Sequence, residues 1–181
     1  MATVLDDLLA ALVARLEQDT VFSDPESGVR AVPENSMDLL AEVDNSLAKL
    51  GLALVVAITG VVPAEQGAYQ GSVMITVSAQ AHEIVPINRA REESESKLTG
   101  LQLLMLAKAL WDRPWSPDPD VFSTVYFARL DMTEVDQEHA RVIWTLEMQV
   151  FTILQTDHES DRITEESADR VTEETSDRAT E

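Results

Sequence analysis

The sequence predicts an α+β domain: a mixed or antiparallel sheet of at least four strands flanked by helices, in the order α-α-β-β-α-β-β. Three observations carry this. Residues 4–16 space Leu5, Leu8, Leu9, Leu12, Val13 and Leu16 along one helical face. Two long apolar or alternating runs, 52–62 and 73–82, flank a Pro- and Gly-containing turn. After one more amphipathic stretch, two further long runs, 122–131 and 141–154, close the block.

The first helix covers residues 4–17, with Asp6, Asp7 and Arg15 off its apolar face. Residues 18–36 hold Pro25, Gly28 and Pro33 among polar residues and read as a long loop. Ser36 is placed as the N-cap of a second helix, 37–50, with Leu39, Leu40, Val43, Leu47 and Leu50 as its buried stripe and Gly51 as its stop. Residues 52–62 are rich in Val, Ile and Leu and carry no charge. After the turn at 63–67, Val73, Ile75, Val77, Ala79 and Ala81 alternate with Met74, Thr76, Ser78, Gln80 and His82 until Pro86. A third helix, 98–112, is entered through the charged segment 89–97 and stopped before Pro114. Residues 115–120, with Pro117 and Pro119, form a stiff connector. The last two strands meet at a turn over 133–139, and Val142, Trp144, Leu146, Met148 and Val150 share one face.

Residues 1–156 are read as one domain and 157–181 as an acidic tail built on a tandem octad that begins at Asp161, Asp169 and Asp177. An eight-residue period drifts about 80° per repeat on a helix, so Ile163, Val171 and Ala179 form no straight seam. The same period sets Arg162, Glu166, Arg170, Glu174 and Arg178 four residues apart, which leaves a solvated helix and a disordered segment both open. The chain has 33 acidic and 13 basic side chains, a net charge of -20, and ten of those acids lie in the tail. Such a charge repels phosphate backbones and anionic lipid at long range. With no cysteine, disulfides, thiolate metal sites and thiol nucleophiles are excluded, which fits assembly in a reducing cytoplasm. The N-terminus lacks the pattern of a secretory signal, and residues 50–64, interrupted by Gly51, Gly60 and Pro63, are too short for a membrane span, so no membrane partner is expected.

No chemical motif stands out. His82 lies on the polar face of a strand, His139 in a turn, and His158 between Asp157 and Glu159, where adjacent side chains converge poorly on an ion. Asp118 and Asp120 lack the remainder of a calcium loop and read as turn chemistry. There is no Gly-flanked nucleophile, and Gly60, Gly67 and Gly71 lack the Lys-Ser/Thr ending of a phosphate loop. The expectation is a protein that is not an enzyme and needs no cofactor and no metal.

The segment Gln80-Ala-His-Glu-Ile-Val-Pro-Ile-Asn-Arg89, closing a hairpin and followed by a helix ending Ala109-Leu-Trp111, a Pro-rich connector and two long strands, resembles the tail terminator and related minor tail proteins of long-tailed bacteriophages. Val85-Pro-Ile-Asn-Arg89 is the local match. The resemblance implies a virion protein, assembled in the host cytoplasm, that forms a homo-hexameric ring on the tail tube near the head. Such a ring stops tube polymerisation and offers a head-tail connector protein its joining surface, while DNA passes through without specific binding. On this reading Asn88 caps the helix and Arg89 reaches an acidic patch of a neighbouring subunit. Trp111 and Trp115, flanking Pro114, are either a partner anchor or a lid on the core. Glu65 at the first hairpin turn, with Glu134, Asp136 and Glu138 at the second, are candidates to face the DNA channel or a stacked ring. The competing class is a small acidic dimeric secretion chaperone that holds unfolded clients, similar in size and charge only.

Overall fold

The computed structural model describes residues 2–24, 28–64, 72–90, 98–112 and 114–152. Glu65, the charged residues 91–97, His158 and the octad tail 157–181 lie outside the described residues. In chain order the elements are α1 (Ala2–Leu16), a short α2 (Thr20–Ser23), β1 (Ala31–Pro33), α3 (Leu39–Leu50), β2 (Leu52–Pro63), β3 (Val73–Ile84), a short α4 (Val85–Ala90), α5 (Gly100–Trp111), β4 (Tyr126–Asp136) and β5 (Arg141–Phe151). They make an α+β fold around a five-stranded mixed sheet, ordered β1-β2-β3-β5-β4. β1 runs parallel to β2 and every other pair is antiparallel.

Strand alternation divides the core in two. Leu52, Leu54 and Val56 of β2, Val77, Ala79 and Ala81 of β3, and Leu146, Met148 and Val150 of β5 turn one face toward Leu8, Leu12 and Leu16 of α1 and Leu103, Leu104 and Trp111 of α5. Each such Leu, fully buried, contributes about 1.5–3 kcal/mol. The intervening positions Ala53, Val55 and Ile84 meet Val43 and Leu47 of α3 on the other face. α3 covers β1, β2 and the end of β3, and beyond it the same face of β5 and β4 carries Thr145, Glu147, Arg129, Asp131 and Glu134 beside Ile143.

Three differences from the expected element order have local causes. The stretch 18–36 is not all loop. Asp19 caps α2 by accepting the Val21 amide at 2.9 Å, and Ala31–Pro33 adds a parallel edge strand too short to show periodicity. Pro86 ends β3 by starting a helix, because proline fits the first turn, where its missing N–H has no acceptor to satisfy. β4 begins four residues later than expected and runs to Asp136, so Thr133, Glu134, Val135 and Asp136 are strand and the turn is 137–140. Two register shifts, at Phe127/Arg129 and Met132/Glu134, break the alternation by which a strand is recognised.

Boundaries also moved on the helices. Ser36 is not the cap of α3: Asp38 holds that position without a side-chain bond, while the Ser36 hydroxyl donates to Glu42 Oε2 at 3.1 Å. Leu40, placed in the buried stripe, is 79% exposed. Gly51 ends α3 at φ 67, where a Cβ would collide with the backbone of Asn88. α5 starts at Gly100 behind a capping box: Thr99 Oγ1 accepts the Gln102 amide at 3.2 Å, and Gln102 Oε1 accepts the Thr99 amide at 2.9 Å.

Candidate functional site

β4 forms one border of the sheet. Its inner edge pairs with β5 and its outer edge has no strand beside it among the described residues. The bulges aim Phe127, Leu130, Met132 and Val135 toward the helix-bearing side, and Phe127, Met132 and Val135 are left about half exposed. Lys108 of α5 holds its ammonium 5.1 Å from the centre of the Phe127 ring, and Met105, about one turn earlier on α5, is half exposed. The opposite side carries Arg129, Asp131, Glu134 and Asp136. Arg129 grips Glu147 of β5 through two bonds, Nε to Oε2 at 2.9 Å and Nη2 to Oε1 at 2.7 Å, and lies 3.6 Å from Asp131. This fork raises the guanidinium pKa further still.

The expected turn acids separate into different roles. Glu134 sits exposed in β4 and Glu138 exposed in the turn. Asp136 ties the turn together. Its Oδ1 accepts the amides of Glu138 at 3.0 Å and His139 at 3.2 Å, and its Oδ2 lies 2.7 Å from the His139 ring. Hydrogen bonding from His139 holds the Asp136 carboxyl below its ordinary pKa. Ala140, at φ 50, completes the reversal.

The junction at residues 83–100 uses Asn88 internally. Asn88 is buried in α4, where its amide group donates to Glu83 Oε1 and to the Leu98 carbonyl, both at 2.9 Å. Glu83 Oε2 accepts the Gly100 amide at 2.9 Å, so a buried carboxylate sits on the first turn of α5, where the helix dipole favours a negative charge. Asn88 therefore does not cap a helix with its own side chain and does not face a neighbour; it joins β3, α4 and α5. Arg89, beside it, is exposed.

The two tryptophans also part. Trp111 is fully buried and donates its indole N–H to the Leu12 carbonyl at 3.0 Å, which locks α5 onto α1 and removes it as a partner anchor. Trp115 is half-buried, with the Arg15 guanidinium 5.7 Å from its ring and Arg15 Nε donating to the Leu110 carbonyl at 3.0 Å. Together they close the end of the core.

Polar groups elsewhere serve the fold. His82 Nδ1 accepts a hydrogen bond from Arg141 across the β3–β5 pair; burial and the adjacent guanidinium push its pKa down to about 4. Asp118 Oδ1 accepts the Asp120 amide at 3.0 Å, as turn chemistry requires. Beside it a shallow groove of about 240 Å³ lies between Val4, Asp7 and Ala11 of α1 and Pro117, Val121 and Phe122. Among the described residues no three metal-ligating side chains come together, and no helix is long and apolar enough to cross a membrane.

Two features escaped the sequence reading. The apolar strip on β4 was hidden because its bulges scramble the two-residue period. The Glu83 junction was hidden because a carboxylate at the end of an alternating strand looks like an ordinary exposed end. No protein-family model and no curated protein matches this chain.

Proposed function

We propose that this chain is a structural subunit of a phage tail: a terminator that forms a ring on the end of the tail tube, stops its growth and presents a joining surface to the head. The observation that carries the reading is the β4 border, eleven residues long, with no strand on its outer edge among the described residues and lined by half-exposed Phe127, Met132 and Val135. Proteins that stay monomeric blunt such edges with short strands, charged side chains or bulges; β4 has two bulges and four charged side chains, yet keeps Phe127, Met132 and Val135 half exposed on the side facing α5. The net charge of -20 suits a ring through which DNA must pass without being held. Electron microscopy of the purified chain mixed with tail tubes, together with light scattering, tests the reading. Rings of about six copies, or tubes capped at one end, are expected. A stable dimer that binds unfolded peptide and ignores tubes overturns the proposal in favour of the secretion chaperone.

A further inference from the structure

The ring reading leaves one concave surface unused, the groove between α1 and the connector that precedes β4. Val4 and Ala11 form one wall and Val121 and Phe122 the other. Of these only Phe122 is fully buried, while Val4, Ala11 and Val121 keep part of their surface open to the groove. Asp7 and Asp118 stand exposed at the rim. At about 240 Å³ the space falls below the roughly 300–1,000 Å³ of pockets that enclose small molecules, so a side chain suits it better than a cofactor.

The chain runs to this spot. Thr152, the last residue the structure describes, pairs antiparallel with Phe122. The Ser123 amide donates to the Phe151 carbonyl at 2.8 Å and the Thr152 amide to the Val73 carbonyl at 2.9 Å, so the end of β5 is held from both sides. Residues 122–123 thus take the place beside β5 that β4 holds further along. Two more steps of the same antiparallel register bring Ile153 beside Val121 and Leu154 beside Asp120.

Alternation decides which of the two faces the groove. Leu146, Met148 and Val150 of β5 are buried on the side of the sheet that carries α1 and α5. Phe151 points the other way and meets the Tyr126 ring edge-on at 6.0 Å. The two-residue period therefore gives Leu154 the α1 side and Ile153 the opposite one. Charge limits how much of the chain follows. After Leu154 the next large apolar side chain is Ile163, and residues 157–181 bring ten acids against three arginines, which Asp7 and Asp118 repel.

We propose that residues 153–156 continue β5 along the 117–122 connector and that Leu154 fills the groove against Val4 and Ala11, while the acidic octads leave from its rim. The contact is made within one chain and holds whether or not copies build a ring. It fixes where the octads emerge: at the end of the sheet opposite the β4–β5 turn, because that turn enters β5 and the octads follow its other end.

The chain has no cysteine, so Ala11→Cys in the full chain reports on the groove through its rate of maleimide labelling. That thiol is expected to react slowly, and adding Leu154→Asp should speed the reaction about tenfold, because an aspartate gains nothing from leaving water where a leucine does. Ile153→Asp or Arg162→Gln, added instead, should leave the rate within about twofold, as substitutions that face solvent do. Labelling that Leu154→Asp does not change overturns the proposal. Equal release by Ile153→Asp overturns it as well, since no one face of the segment is then seated, and release by Arg162→Gln alone assigns the groove to an octad. Fast labelling of Ala11→Cys by itself shows an open groove, and protection lost on dilution shows that a second copy supplies the occupant; either result also rejects the contact. Failure of the chain to form rings leaves these rates untouched, so the two readings fall separately. Circular dichroism checks each variant, with Val121→Cys replacing Ala11→Cys and Leu154→Ala replacing Leu154→Asp if either fails to fold.

Discussion

At the scale of single residues, the informative positions are polar groups placed where the fold has few alternatives. Glu83 is the clearest. Its carboxylate holds the amide of Gly100 and the side chain of Asn88 in a buried site, so Glu83→Ala leaves the Gly100 amide and one of the two Asn88 side-chain N–H groups unpaired and should destabilise the protein by about 2–3 kcal/mol. Urea denaturation measures this, and a loss under about 0.5 kcal/mol would show that water replaces the carboxylate. His82 gives a pH signature. Its folded pKa of about 4 lies below the ordinary 6.5, so between those values the unfolded chain takes up a proton that the folded chain refuses. Stability should therefore fall through this group as pH drops from about 6.5 to about 4 and lose nothing more below that window. In His82→Gln the Arg141 contact is kept and this slope disappears, so the stability gap between parent and variant should shift steadily across the window. Parallel stability profiles for the two proteins would refute the assignment. Neither residue's role was legible in the sequence: the partners of Glu83 lie five and seventeen positions away, and those of His82 fifty-nine.

At the scale of elements, what was legible is what periodicity encodes. α1, α3, α5, β2, β3 and β5 follow from runs long enough to repeat, because each buries one face continuously against the core. What was not legible is short or interrupted. β1 has three residues, α2 four and α4 six, fewer than two turns or two alternations, and their positions come from tertiary pairing. β4 was displaced because its bulges shift the period twice, while its outer residues Arg129, Asp131 and Glu134 resemble a polar connector. Among the expected site residues, Asn88 and Trp111 proved to be internal, and only the fold could distinguish a buried anchor from an exposed one. The start of α5 shows the converse. Thr99 and Gln102 form a reciprocal cap with the spacing that marks helix starts, a signal present in the sequence but passed over in favour of Leu98. Thr99→Ala should cost about 1 kcal/mol, read as a drop in thermal midpoint, and Thr99→Ser should restore most of it. Equal stability of the alanine and serine variants would show that the hydroxyl is idle.

At the scale of the whole molecule, charge and shape bear on the same question, because a ring that conducts DNA must present acids to the lumen and apolar borders to its neighbours. In the proposed ring, the β4–β5 turn at residues 137–140, which lies at one end of the sheet, is the segment assigned to the channel or to a stacked ring. The turn acids differ in what they can tolerate. Asp136 anchors the amides of Glu138 and His139 and must stay, whereas Glu134 and Glu138 are exposed and dispensable to the fold. Replacing Glu134 and Glu138 together by Lys changes the local charge by four units per copy without removing a turn bond. The double variant should match the parent in thermal midpoint within the roughly 0.5 kcal/mol typical of surface substitutions. In assembled particles it should retain DNA in a salt-sensitive manner and slow genome passage, because each new lysine can neutralise a phosphate and release its counterion. A side-by-side measurement of DNA ejection at low and high salt reads the effect directly. Ejection at the parental rate at low salt would place this turn on the outside of the ring, and the lumen acids would then have to come from another surface of the chain.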